Sequence, residues 1–177
     1  MPIHKEMIPN VKFWWLIIIS VLLRWLPFGF SETSSLVDFT RVCMILSYTL
    51  LLFALLRNMQ IWSVRIIALG TLLNFLAIIA NHGFMPVSSD AISLANKTLL
   101  EMPSNGISLT GLGGVILPVD GTRLWLLTDI IPVSSISTVF SIGDIVLGIG
   151  ILVACISLIG WARRTMHPDV PELLTIK

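Results

Sequence analysis

Apolar residues in this chain come in long blocks and do not recur at the three-to-four spacing of a surface helix. Four blocks, at about 13–30, 36–56, 62–80 and 136–161, are long enough to cross a hydrocarbon core as helices of roughly 20 residues. Ahead of the fourth, "GISLTGLGGVILP" is apolar but short, rich in glycine and closed by Pro118, so it is expected to lie at the interface or to re-enter part-way. The region 81–135 also carries Pro86, Pro103 and Pro132, a punctuation that favours turns and short strands over long helices. The pattern predicts an all-α membrane protein: a four-helix transmembrane bundle, a single domain over 1–177, with one irregular outer loop region.

Composition agrees. The chain of 177 residues is 55% hydrophobic and 12% charged, about half the charged share of a soluble domain. A net charge of +1 gives no reason to expect a nucleic-acid partner. Cys43 and Cys155 fall inside apolar blocks and read as small buried hydrophobes, while His4, His82 and His167 are scattered without ligand spacing. No metal site and no cofactor are expected. Lys5 and Lys12 ahead of an apolar run look superficially like a signal peptide. Arg24 interrupts that run and no small-x-small cleavage site follows it, so the first block is expected to be a retained span.

Charge sets the orientation. Lys5, Lys12, Arg57, Arg65, Arg163, Arg164 and Lys177 all fall on one side if both termini are cytoplasmic, and the long loop opposite holds Lys97 and Arg123. The expectation is a multi-pass protein of the cell (cytoplasmic) membrane, N-in and C-in, with its outer region at about 81–135. Trp14, Trp62 and Trp161 then fall at the cytoplasmic interface, where indoles are favoured.

Polar residues in apolar surroundings mark the candidate chemistry. Asn74 and Asn81 share a helix face with Thr71 and Ala77 close by, and Ser141, Asp144, Gly148 and Cys155 make a second small or polar stripe. Helix packing is the favoured reading for Asn74, Gly148 and Cys155. Asp38 and Arg41 are spaced to pair locally. In "NHGFMPVSSDA", Asn81 and Gly83 are placed to cap the third helix. The sharpest constellation is Asp129, in "LWLLTDIIP", with Asp144 fifteen residues on at the start of the fourth block. Two carboxylates in a dehydrated setting do not both ionise cheaply, and one holding a proton beside one holding charge is the arrangement of a water-activating aspartyl pair. The competing reading has Asp144 paired with Arg123 or capping its own helix, and Asp129 solvated.

"NHGFMPVSSDA", "LLTDIIP" and "FSIGDIVLGIG" together resemble a bacterial membrane family catalogued as a domain of unknown function, over about Leu69 to Gly150. A more local resemblance is to lipoprotein signal peptidase, a four-span aspartyl protease. "TDI" at Asp129 is similar to its first catalytic element and "FSIGD" at Asp144 to its second. Asp120 is similar to a supporting aspartate, with Arg123 and Asn81 as further supporting candidates. The sequence departs from the peptidase in having Ser141 and Gly143 where Asn and Ala stand there, and in placing "NHGF" after the third span.

Two functions from different classes remain. One is a non-catalytic module that binds a lipid, a membrane-anchored peptide or a partner protein in the bilayer, the favoured reading. The other is a membrane aspartyl hydrolase at the outer leaflet, with Asp129 and Asp144 as its dyad.

Overall fold

The computed structural model describes residues 11–26, 34–95, 109–110, 114–117 and 121–166. Its helices are α1 (Trp14–Trp25), α2 (Ser34–Leu56), α3 (Trp62–Ala80), the short α4 (Ser89–Leu94) and α5 (Ile142–Met166). Three stretches, Val37–Leu56, Trp62–Ala80 and Ile142–Arg163, are long and apolar enough to cross a membrane. The first expected span is shorter in the structure. The 12 residues of α1 reach about 18 Å at the helical rise, against a core of about 30 Å. The rest of that block, 27–30, lies outside the described residues.

Inside these helices the usual order of polarity is inverted. The buried positions of α3 are Ser63, Ala68, Gly70, Thr71, Asn74, Ala77 and Ile78, whereas Leu69, Leu72, Leu76 and Ile79 are exposed. In α2, Thr40 and Ser47 are buried while Val42, Leu46 and Phe53 look outward. Small and polar residues inside with large apolar residues outside is what a lipid surround selects, because close backbone approach and hydrogen bonds then hold helices together.

That close approach occurs between α3 and α5. A methyl group added at Gly70 would stand 2.5 Å from both the Gly143 carbonyl oxygen and the Leu147 nitrogen, and one added at Gly150 would stand 2.6 Å from Ile67 Cγ1. Glycine is required at both contacts because backbone fills the space a Cβ would take. On the other flank α1 leans on α2, and Ser47 Oγ donates to the Ser20 carbonyl at 2.7 Å.

Between α3 and α5 the chain builds a β-rich cap, which qualifies the all-α expectation. Strands β1 (Met85–Ser88), β2 (Leu109–Thr110) and β3 (Gly114–Leu117) form a sheet of order β1–β3–β2. β1 runs parallel to β3, with Met85 opposite Gly114, and β2 runs antiparallel to β3. The described parts of "GISLTGLGGVILP" therefore pair as strands. Strands β4 (Ile131–Val133) and β5 (Thr138–Phe140) make a hairpin, with Ile131 opposite Phe140. The fourth apolar block accordingly becomes helical at Ile142 and not at 136. Ser134–Ile136 is a 3-10 turn, Ser137 has φ 47°, and β-branched Thr138 and Val139 come next in the strand. All of β1 is buried. Leu127 packs with Phe75 against Met44, Tyr48, Ala77, Ile78 and Met85, tying the cap to the long helices.

Candidate functional site

The end of α3 is shaped by "NHGF". The Gly83 N–H returns to the Ile78 carbonyl at 2.8 Å with φ 89°, a left-handed turn that glycine allows at little cost. A side chain there would also strike Arg41, whose guanidinium pairs with Asp38 at 3.1 Å as the spacing suggested. Asn81 does more than cap. Its Nδ2 donates to the Ala77 carbonyl and to the Arg123 carbonyl, both at 2.8 Å, and its Oδ1 accepts from the Arg123 N–H at 2.9 Å. The amide thus grips both backbone groups of one residue, as a strand partner would. Arg123 is drawn to Asn81 by its main chain, and its side chain is exposed.

Asp144 sits in the first turn of α5 within Ser141-Ile142-Gly143-Asp144. Ser141 Oγ accepts from the Asp144 N–H at 2.9 Å, and Asp144 Oδ2 accepts from the Ser141 N–H at 3.1 Å. This reciprocal pair is a capping box, which satisfies donors that the start of a helix leaves open. The box is extended to α3. Asn74 Nδ2 donates to Asp144 Oδ1 at 2.7 Å, and Ser141 Oγ donates to Asn74 Oδ1 at 2.8 Å. Asn74, 2% exposed, therefore closes a three-residue ring across the two helices. Of the two competing roles for Asp144, capping is realised. Arg123 is engaged elsewhere through its backbone, and an amide and a peptide N–H hold the carboxylate.

Asp129 lies half-buried beside β1. Its N–H donates to the Pro86 carbonyl and its carbonyl accepts from the Ser88 N–H, both at 3.0 Å, a parallel bridge opposite Val87. Proline suits that position, since only its carbonyl is used there. The solvated-loop reading of Asp129 is thereby replaced by a strand-like one. Tyr48 is the common neighbour. It lies within electrostatic range of Arg24, Asp144 and Asp129. The Arg24 guanidinium stacks over the Tyr48 ring at 4.2 Å.

Of the residues singled out in the sequence, the structure joins Asn81 to Arg123 and ties Asp144 to Ser141 and Asn74, while Asp129 and Asp144 are each within electrostatic range of Tyr48. Asp120 lies outside the described residues. Asn74 enters the cluster although sequence reasoning gave it a packing role, Tyr48 was not singled out, and Arg24 joins through the Tyr48 ring. The Ser-x-x-Asp spacing ahead of an apolar run was the signal available for the box. The stripe through Gly148 and Cys155 is corrected. Cys155 is exposed, and a methyl group at Gly148 would meet nothing within 4 Å. Among the described residues no group of three or more His, Cys, Asp or Glu side chains is arranged to hold a metal.

Inverted polarity, three long apolar helices and a hydrogen-bonded polar ring within them define a mostly helical chain compatible with a membrane protein. The chain belongs to a family of unknown function, DUF5317, whose family model matches residues 8–156. No curated protein and no solved structure matches it. The local resemblance to lipoprotein signal peptidase gains no support from these comparisons.

Proposed function

We propose that the chain is a multi-pass protein of the cytoplasmic membrane, with both termini cytoplasmic, that works as a non-catalytic module binding a lipid or a membrane-anchored partner on its outer side. The observation that carries this reading is the engagement of Asp144. One oxygen takes the Asn74 amide and the other takes the Ser141 N–H, so the group serves as part of the α3–α5 frame. A general base needs an oxygen directed at water and poised to gain a proton. Charge supports the orientation. Lys12 is hydrogen-bonded to Asn58 in the α2–α3 turn, beside Arg57, and basic residues gather on the cytoplasmic side of such proteins. Titrating phospholipid into detergent-solubilised protein tests the binding reading. A site for lipid raises the unfolding midpoint saturably, and a midpoint indifferent to every headgroup class overturns the lipid form of the proposal.

One observation favours the hydrolase as a second reading. Asp129 and Asp144 each lie within electrostatic range of Tyr48, which supports an approach of the two carboxylates. If they share a proton their titrations belong to the pair. Infrared titration of the carboxyl bands in wild type, Asp129→Asn and Asp144→Asn decides this, because a survivor that titrates as in wild type ends the dyad.

A further inference from the structure

Asn81 and its grip on Arg123 have a counterpart at the opposite end of the bundle. Asn58 closes α2 as Asn81 closes α3. Its Nδ2 donates to the carbonyls of Ala54, four residues back, and of Lys12, both at 2.7 Å, while its Oδ1 accepts from the Lys12 N–H at 2.8 Å. The gripped residue is basic in both cases, and both asparagines are buried. The likeness extends to the next residues of each chain segment. Phe13 has φ 57° and Leu124 has φ 51°, left-handed backbone that bulky residues avoid unless their surroundings hold them there. Each starts a helical turn with a return bond, Leu16 N–H to Phe13 O at 2.9 Å and Leu127 N–H to Leu124 O at 2.8 Å. Each turn opens on a tryptophan, Trp14 at 60% exposure and Trp125 at 46%.

The two devices present the same chemistry: an exposed cation, then three large exposed apolar side chains, Phe13-Trp14-Trp15 in one and Leu124-Trp125-Leu126 in the other. Their location is fixed by the asparagines, each within two residues of the end of a membrane-length helix, on opposite faces of the bundle. A basic residue followed by indole and aliphatic bulk at that depth matches the headgroup–acyl boundary, where tryptophan is favoured and a guanidinium reaches phosphate. The backbone of Leu124–Thr128 meets the demand of a water-poor layer. The Leu127 and Thr128 N–H groups and the Thr128 hydroxyl all bond within the turn. Leu127 faces the other way, into the core with Tyr48 and Ile78, so the turn has one side for protein and one for another medium.

We propose that Arg123–Leu126 is a membrane-interface anchor, seating Leu124, Trp125 and Leu126 in the lipid on the cap side of the bilayer as Lys12–Trp15 does on the other side. The cap is then held down at two points, by Asn81 to the end of α3 and by this wedge to the lipid surface. The proposal rests on reading α2, α3 and α5 as spans, and the test separates the two.

Single cysteines for a nitroxide label, Leu126→Cys, Trp15→Cys and Ile151→Cys, are introduced in a Cys43→Ala, Cys155→Ala background. The full chain is reconstituted in vesicles of phosphatidylcholine and phosphatidylglycerol. Collision with oxygen, which concentrates in lipid, is compared with collision with a water-soluble nickel chelate. The expected result is oxygen exceeding chelate at 126 and at 15, with a still larger excess at 151 in the middle of α5. Chelate exceeding oxygen at 126 while 151 stays oxygen-accessible overturns the anchor and leaves the spans standing. Low collision with both at 126 also overturns it, because protein then covers the turn. Chelate access at 151 overturns the membrane reading itself. A second measurement needs no label: brominated lipids quench wild-type fluorescence more than that of Trp125→Phe if Trp125 is in lipid, and equally if it is not.

Discussion

The two faces of α5 share one helix and differ in almost everything else. Toward α3 it offers Gly143, Leu147 and Gly150, and the facing backbone comes so close that a single methyl group has no room. Away from α3 it offers Ile145, Gly148, Ile149, Leu152 and Ile156, all exposed, and at Gly148 the same methyl would meet open space. Only 11% of the apolar stretch of α5 is buried, against 39% in α2 and in α3. Helicity is common to both faces, so glycine at 143 answers the approach of a second backbone and glycine at 148 does not. Two residues of one type in one helix thus do different work, and substitution separates them.

The largest effect is expected at the seam. In Gly143→Ala the new methyl would lie 2.6 Å from Asn74 Cγ and 2.8 Å from the Gly70 carbonyl oxygen. The obstacle is partly main chain, so α3 and α5 must part and the Asn74 ring must open. Overpacking of this kind costs about 1–3 kcal/mol and sometimes more, and the loss here belongs at the upper end. Unfolding of the purified protein in mixed micelles by a denaturing detergent measures it. Wild-type stability in Gly143→Ala would mean that the seam is not as close as described.

Next comes the polar ring on the same face. Asp144→Asn keeps an acceptor for Asn74 but turns an NH2 toward the Ser141 N–H, so one hydrogen bond to a charged group is lost, worth about 1.5–3 kcal/mol. A double-mutant cycle with Asn74→Leu measures how much of this passes through the Asn74–Asp144 bond. A coupling near zero would return Asp144 to a purely local capping role.

Part of this arrangement was legible in the sequence. The apolar blocks located α2 and α3 to within a residue or two, and the cap at Asn81 and Gly83 is a consequence of turn chemistry. Ser141 and Asp144 form a box because both side chains act at the first turn, where the sequence spacing alone places them. The seam of α5 was not legible. At about 100° per residue, Gly148 and Cys155 point well away from Gly143, Leu147 and Gly150, and small residues on two sides leave the choice to the partner helix. The β-cap was hidden for another reason. β1 finds its parallel partner β3 some distance along the chain, and Asp129 finds β1 across an even longer stretch, so no local pattern announces either pairing.

On the open face, Gly148→Ala should be mildly stabilising. The change removes backbone freedom from the unfolded chain and meets no atom within 4 Å, so a gain of about 0.5–1 kcal/mol is expected. A loss instead would show that a second protein surface approaches α5 at that point as closely as α3 does at Gly143.

The smallest effect is expected at Leu152→Ala, and it asks what that open face touches. Leu152 is 60% exposed. If lipid surrounds it, the side chain meets hydrocarbon in the folded bundle and also in the separated helix. Truncation then removes nothing that folding gains, and the change stays within about 0.5 kcal/mol, the usual range for an exposed site. If a partner protein or a second copy packs there, truncation leaves a cavity and costs about 2–5 kcal/mol, and for a second copy the loss shrinks as the protein is diluted below the concentration at which wild type associates. Unfolding of Leu152→Ala at two protein concentrations, in micelles and in bilayers, therefore distinguishes a lipid-facing helix from an interface. A small and concentration-independent change leaves α3 as the surface that α5 recognises, with the lipid as its solvent on the other side.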